Sequence, residues 1–178
     1  GFIDKAGNWV NNEPVAVPFF DSFSEGVAPA EERGNKEFLG IRVGFVDKLG
    51  NWAIMPAFDE AKGFSNGLAA VRSKDKWGFI DRTGTWVINP QFDHVQGEYF
   101  GLNLWGARNP DRDLAAVSIG GKPEEHLQKI NSKWGFIDRT GKTVVPTIYT
   151  KTSHEFYNGF IIVNYGGQIQ FINKKKEK

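Results

Sequence analysis

The chain has 178 residues, a length that suits one compact domain with a core large enough to need no staples. Its 22 lysines and arginines against 21 aspartates and glutamates leave a formal charge of +1, too balanced for the basic footprint of a general nucleic-acid binder. Zero cysteines exclude disulfides, thiolate metal sites and a thiol nucleophile, and no apolar stretch approaches the roughly 20 residues that span a bilayer.

The chain opens on Gly1-Phe2-Ile3-Asp4, and that string returns as Gly44-Phe45-Val46-Asp47, Gly78-Phe79-Ile80-Asp81 and Gly135-Phe136-Ile137-Asp138. A degenerate copy, Gln170-Phe171-Ile172-Asn173, closes the series. The spacings of 43, 34, 57 and 35 residues set a natural period of about 34, with additions in the first and third units. The units are expected at about 1–43, 44–77, 78–134 and 135–169, followed by a terminal strand at 170–173 and a basic tail at 174–178.

Within a unit, the Gly-Phe-Ile-Asp run reads as a strand. Asp at the first position and Gly at the fourth of Asp4–Gly7, Asp47–Gly50, Asp81–Gly84 and Asp138–Gly141 predict type I turns, the glycine being free to take positive φ. A second strand follows and is closed by Pro56, Pro90 or Pro146. Phe64-Ser65-Asn66-Gly67-Leu68-Ala69-Ala70-Val71 supplies a third, with counterparts at Phe23–Ala28, Leu114–Val117 and Phe156–Val163. A helical repeat of the same period is excluded, because no window keeps apolar residues at i, i+3, i+4 and i+7 for three turns. One helical turn is expected, at Pro123–Ile130, where proline and early acids suit a helix start. The fold class is therefore all-β: tandem units of about three antiparallel strands each, in a meander forming an open solenoid-like or propeller-like array.

Trp77-Gly78-Phe79-Ile80-Asp81 and Trp134-Gly135-Phe136-Ile137-Asp138, with the Pro-x-Phe-Asp and Phe-Ser-x-Gly-Leu-Ala-Ala-Val elements, resemble WG repeats over nearly the whole chain. The resemblance implies a bacterial all-β repeat protein, usually without assigned catalysis and often one module of a larger or exported polypeptide. Val43 stands in place of the Trp before Gly44, and Ile169-Gln170 in place of Trp-Gly. Ile148-Tyr149 are read as replacing Phe-Asp. Such degenerate ends suit caps of an array. Because the chain opens in mid-unit at Gly1, the start of that unit is expected to precede it.

The chemistry-bearing residues have structural explanations. Each Asp-x-x-Gly turn offers one carboxylate, whereas calcium takes about six to eight oxygens, so Asp4, Asp47, Asp81 and Asp138 are read as turn formers. His94, His126 and His154 are too scattered for zinc spacing. No nucleophile elbow or phosphate-cradling loop is present. Trp77 and Trp134 are expected to cover the neighbouring glycines, and Trp9, Trp52 and Trp86 to stack between units. The lysines of the tail read as a solvated terminus.

Residues that appear in one unit only are not required by the repeat. The third unit carries two insertions, between Asp93 and Leu114 and between Val117 and Trp134, and the first unit carries a smaller one near 31–42. Tyr99, Phe100, Trp105, Arg108 and Arg112, with Phe38, are the expected partner-facing residues, since Tyr, Trp and Arg dominate interface energetics and binding residues concentrate on loops. The sequence thus points to a non-enzymatic protein-binding or scaffolding module. It calls for no catalytic residue, cofactor or metal, no nucleic acid and no membrane span. Carbohydrate or cell-wall binding through exposed aromatics is the alternative, and the cell envelope or export is favoured over the cytoplasm.

Overall fold

A computed structural model describes residue 6 and residues 23–33, 40–95, 114–120, 132–152 and 160–173. Fourteen strands are present among them: β1 (Val27–Arg33), β2 (Ile41–Asp47), β3 (Trp52–Phe58), β4 (Glu60–Ala61), β5 (Ala69–Ser73), β6 (Lys76–Ile80), β7 (Trp86–Phe92), β8 (His94–Val95), β9 (Leu114–Ile119), β10 (Lys133–Asp138), β11 (Thr143–Tyr149), β12 (Lys151–Thr152), β13 (Phe160–Tyr165) and β14 (Gln168–Asn173). They form four antiparallel sheets in which each strand neighbours the next in the chain: β1-β2-β3, β4-β5-β6-β7, β8-β9-β10-β11 and β12-β13-β14. The all-β expectation holds. No helix occurs among the described residues; the helical turn expected at 123–130 lies outside them.

Successive sheets are separated by a single residue, Asp59, Asp93 or Thr150, placed between the last strand of one sheet and the two-residue strand that opens the next. A sheet therefore combines the second half of one sequence unit with the first half of the following one. Those two-residue strands, β4, β8 and β12, carry too few residues to leave a pattern in the sequence.

The aspartate turns form as expected. The Asp47 carboxylate accepts the amides of Leu49 (2.8 Å) and Asn51 (2.9 Å), and Gly50 takes φ +86°. Asp81 and Asp138 repeat the arrangement with Thr83 and Thr85, and with Thr140 and Lys142. These bonds favour the ionised form and hold all three carboxyls below the usual aspartate value. For Asp47 the Asn51 amide contributes most; for Asp81 it is the Thr83 hydroxyl. At Asp138 burial acts to raise the value and is outweighed by Thr140 and Lys142.

The prolines lie inside β3, β7 and β11 rather than closing them. The register between β2 and β3 shifts between Val43 and Phe45, and that between β10 and β11 shifts at the same place. The resulting bulge carries the partner strand across the glycine: a Cβ on Gly78 would lie 2.6 Å from the Ile88 carbonyl oxygen and 2.8 Å from the Pro90 nitrogen. A proline needs no ladder partner at such a bulge. The ring that covers Gly78 belongs to Trp86 across the pair, not to the adjacent Trp77, which is itself buried. Gly44 is covered by Trp52 in the same way. In the fourth unit the proline is displaced by one position: Thr147, not Pro146, puts its nitrogen over Gly135. Tyr149 consequently pairs with Trp134 as Phe58 pairs with Val43, so Tyr149-Thr150 occupy the Phe-Asp positions that the sequence pattern gives to Ile148-Tyr149.

The chain divides into two compact units, with the boundary between Pro90 and Gln91 in β7. In the first, Val27, Phe45 and Phe58 of the first sheet meet Phe64, Ala69, Val71 and Ile80, and Trp86 packs edge-on against Phe58 (5.7 Å) as expected for a tryptophan stacked between repeats. The turn Ser24–Val27 is tied to its successor Ser65–Leu68, because Glu25 accepts the Gly67 amide (3.1 Å) and pairs with Arg82 (3.3 Å). In the second, Leu114, Ala116, Phe136 and Val145 of the third sheet enclose a core with Ile161 and Val163 of the fourth.

Candidate functional site

Tyr99, Phe100, Trp105, Arg108, Arg112 and Phe38 lie outside the described residues. The frame that carries the third-unit insertions is described and is a normal repeat. Asp93 donates its amide to the Ser118 carbonyl (2.9 Å) and accepts the Gly120 amide (2.7 Å), as Asp59 does with Arg72 (2.9 Å) and Lys74 (2.9 Å). His94 stacks on Trp134 at 6.3 Å. Among the described residues no group of three or more His, Asp or Glu side chains gathers to hold a metal. The four described tryptophans are all buried or half-buried.

A different surface emerges from comparing equivalent positions. Directly opposed residues in an antiparallel pair share a face, and successive residues alternate between faces. The third position of the Leu-Ala-Ala-Val strand lies opposite the repeated phenylalanine in every sheet: Pro29 with Phe45, Ala70 with Phe79, Ala116 with Phe136, and Ile162 with Phe171. The second position lies opposite the repeated Val or Ile: Ala28 with Val46, Ala69 with Ile80, Ala115 with Ile137, Ile161 with Ile172. Each sheet thus has a phenylalanine face and an aliphatic face. In the first unit the Phe45 face packs on the Ala69, Val71 and Ile80 face of the next sheet; in the second the Phe136 face packs on Ile161 and Val163.

The fourth sheet presents the same phenylalanine face uncovered. Phe45, Phe79 and Phe136 are 0%, 0% and 4% exposed, whereas Phe171 is 67% exposed and Ile169, at the tryptophan position, 70%. Phe160, at the leucine position, is exposed as well. Its opposite face is closed normally, with Ile161 and Val163 buried and Ile172 packed beside them. Asn164, which belongs to the open face by register with Ile169, is held by Thr150 (3.0 Å) and the Gly167 amide (3.2 Å).

The edge of this sheet also differs. In the other three sheets the glycine-bearing strand pairs on its far side with β3, β7 or β11; among the described residues β14 pairs only with β13. Gln170 replaces the glycine there. Since a Cβ on Gly44 or Gly135 would sit 2.5 Å from a carbonyl oxygen of the crossing strand, Gln170 blocks a partner strand that crosses as β3 and β11 do. The face is open, while the edge is closed to the repeat's own pairing mode.

The sequence did carry a signal for this site. Ile169-Gln170 reads as a degenerate capping copy, but a cap is expected to turn a polar face outward. Phe160, Ile162, Ile169 and Phe171 contradict that expectation, and only the strand register shows that they share one face.

A family profile described as WG containing repeat matches residues 44–77, 77–99 and 134–168. No curated protein and no solved structure matches the chain.

Proposed function

Because the chain belongs to the WG containing repeat family, we propose that it is a non-enzymatic repeat module that binds protein and serves as a scaffold in a larger assembly. The observation that carries this reading is the apolar outer face of the fourth sheet, where Phe171 stands in water at a position buried in the three preceding sheets, and Ile169 at one that is buried or half-buried there. An exposed apolar patch of this kind marks an interaction surface. It is built on paired strands, so it is pre-formed and loses little freedom on binding. The insertion residues Tyr99, Phe100, Trp105, Arg108 and Arg112, with Phe38, form a second contact region in this reading, supported by their absence from the other units.

Affinity capture by the full chain, with mass-spectrometric identification, tests the proposal. A protein retained by the natural chain and lost on Phe171→Ser/Ile169→Ser, with the melting temperature unchanged, supports the face. Loss on Trp105→Ala/Arg108→Ala with unchanged melting supports the insertion. Saturable sugar binding lost on changing Trp105 would instead favour the carbohydrate reading.

A further inference from the structure

Protein binding by itself leaves the partner unspecified, and the chain holds samples of what fits. We infer that the open face of the fourth sheet receives the aliphatic face of another WG-type sheet. This rests on the protein-binding reading and narrows it to one kind of partner.

The comparison lies within one molecule. Phe45, with Val27 beside it, is covered by Ala69, Val71 and Ile80 of the second sheet and by the ring of Phe64, which precedes β5 and lies 4.8 Å away. Phe136, with Leu114 and Ala116, is covered by Ile161 and Val163, with Ile172 packed alongside. In both described cases the strands that meet the phenylalanine face supply small or β-branched residues, two from the Leu-Ala-Ala-Val strand and one from the adjoining strand. A flat surface of Ala, Val and Ile leaves room for the ring, which is how close packing is reached between unlike faces. The fourth sheet offers the same set of positions in the same register: Phe160, Ile162, Phe171 and Ile169 stand where Leu114, Ala116, Phe136 and Trp134 stand in the third. Its complement is therefore a sheet with Ala or Ile, then Val, on one strand and Ile on the next.

A second copy of the described residues does not offer such a sheet. The aliphatic faces of the first three sheets are already buried, as Ala28, Ala30 and Val46, as Ala69, Val71 and Ile80, and as Ala115, Val117 and Ile137 all show, and that of the fourth is occupied by the third. Edge-on addition of a repeat strand is opposed by Gln170. What remains is face-to-face stacking with a WG-type sheet whose aliphatic face is free.

The test appends a copy of residues 60–92, the second sheet with its aliphatic face free, to the full chain through a flexible glycine–serine linker. Hydroxyl-radical footprinting then reads side-chain oxidation at Phe171. Oxidation should fall severalfold relative to the unfused chain, and Val71→Asp or Ile80→Asp within the appended copy should restore it. Unchanged oxidation of Phe171 overturns the inference, as does protection that survives the aspartate changes. Sedimentation of the unfused chain separates the two levels. Concentration-dependent dimers abolished by Phe171→Asp would overturn the choice of partner and leave protein binding standing, whereas saturable glycan binding abolished by Phe171→Asp would overturn both.

Discussion

The glycine of each Trp-Gly pair is fixed by crowding rather than by φ. At Gly78 a methyl group would press into the Ile88 carbonyl and the Pro90 nitrogen, both backbone atoms that cannot swing aside. Gly78→Ala should cost about 3 kcal/mol or more in urea unfolding, at the upper end for single changes. Gly84 has a different reason, its φ of +84° closing the aspartate turn, and Gly84→Val should cost more than about 1 kcal/mol. Arg82 lies in the same turn and pairs with Glu25, so Arg82→Ala should cost less, about 0.5–1 kcal/mol. The aspartates of these turns add a pH dependence. Their folded pKa values lie below the ordinary 3.8, so their contribution is complete above that value and is lost as pH falls through the folded pKa. The urea midpoint should therefore fall as pH drops below about 4, and Asp47→Asn/Asp81→Asn/Asp138→Asn should flatten that fall.

At the scale of the strand, one residue type does opposite things at equivalent positions. Phe136 is buried between two sheets, so Phe136→Ala should destabilise by about 3–5 kcal/mol. Phe171 occupies the same register in β14 with most of its ring in solvent, and Phe171→Ser should shift the melting midpoint by the equivalent of less than about 0.5 kcal/mol. Calorimetry on the two variants checks the assignment of faces directly. The strands, the aspartate turns and the repeat period were legible in the sequence because each recurs with a fixed chemical reason. The proline bulge was not, since the sequence shows Pro56 and Pro90 but not the register shift that lets a strand continue past them. The displaced Pro146 drew the fourth unit one residue out of alignment for the same reason. The open face was legible only as an apolar capping copy, because exposure depends on whether another sheet lies over it, and Phe171 looks locally like any other copy.

At the scale of the molecule, the first and second sheets and the third and fourth sheets meet through the same pair of faces, and stability in such arrays is close to a sum over units and interfaces. Removing residues 44–77 joins Val43 to Gly78 and brings β1 against β6 in the register it had with β2, with Ala30 opposite Gly78 instead of Gly44. That deletion should keep a cooperative melt and a far-ultraviolet spectrum dominated by β-structure. Removing residues 52–77 instead leaves β2 beside a second copy of itself without the crossing strand, and should abolish cooperative melting.

Within each sheet every strand pairs with its neighbours in the chain, and this also sets the order of assembly. Seven residues, 62–68, separate β4 from β5, whereas 18 residues, 96–113, separate β8 from β9. Loop-closure entropy grows with the logarithm of length, so drawing β8 onto β9 carries about 0.8 kcal/mol more than the equivalent step in the second sheet, roughly a fourfold slower closure. The third sheet should be the last to zip. Shortening 96–113 to the length of 62–68 should raise the refolding rate of the chain by about that factor and leave its unfolding rate nearly unchanged, an asymmetry that a chevron plot resolves into its two limbs.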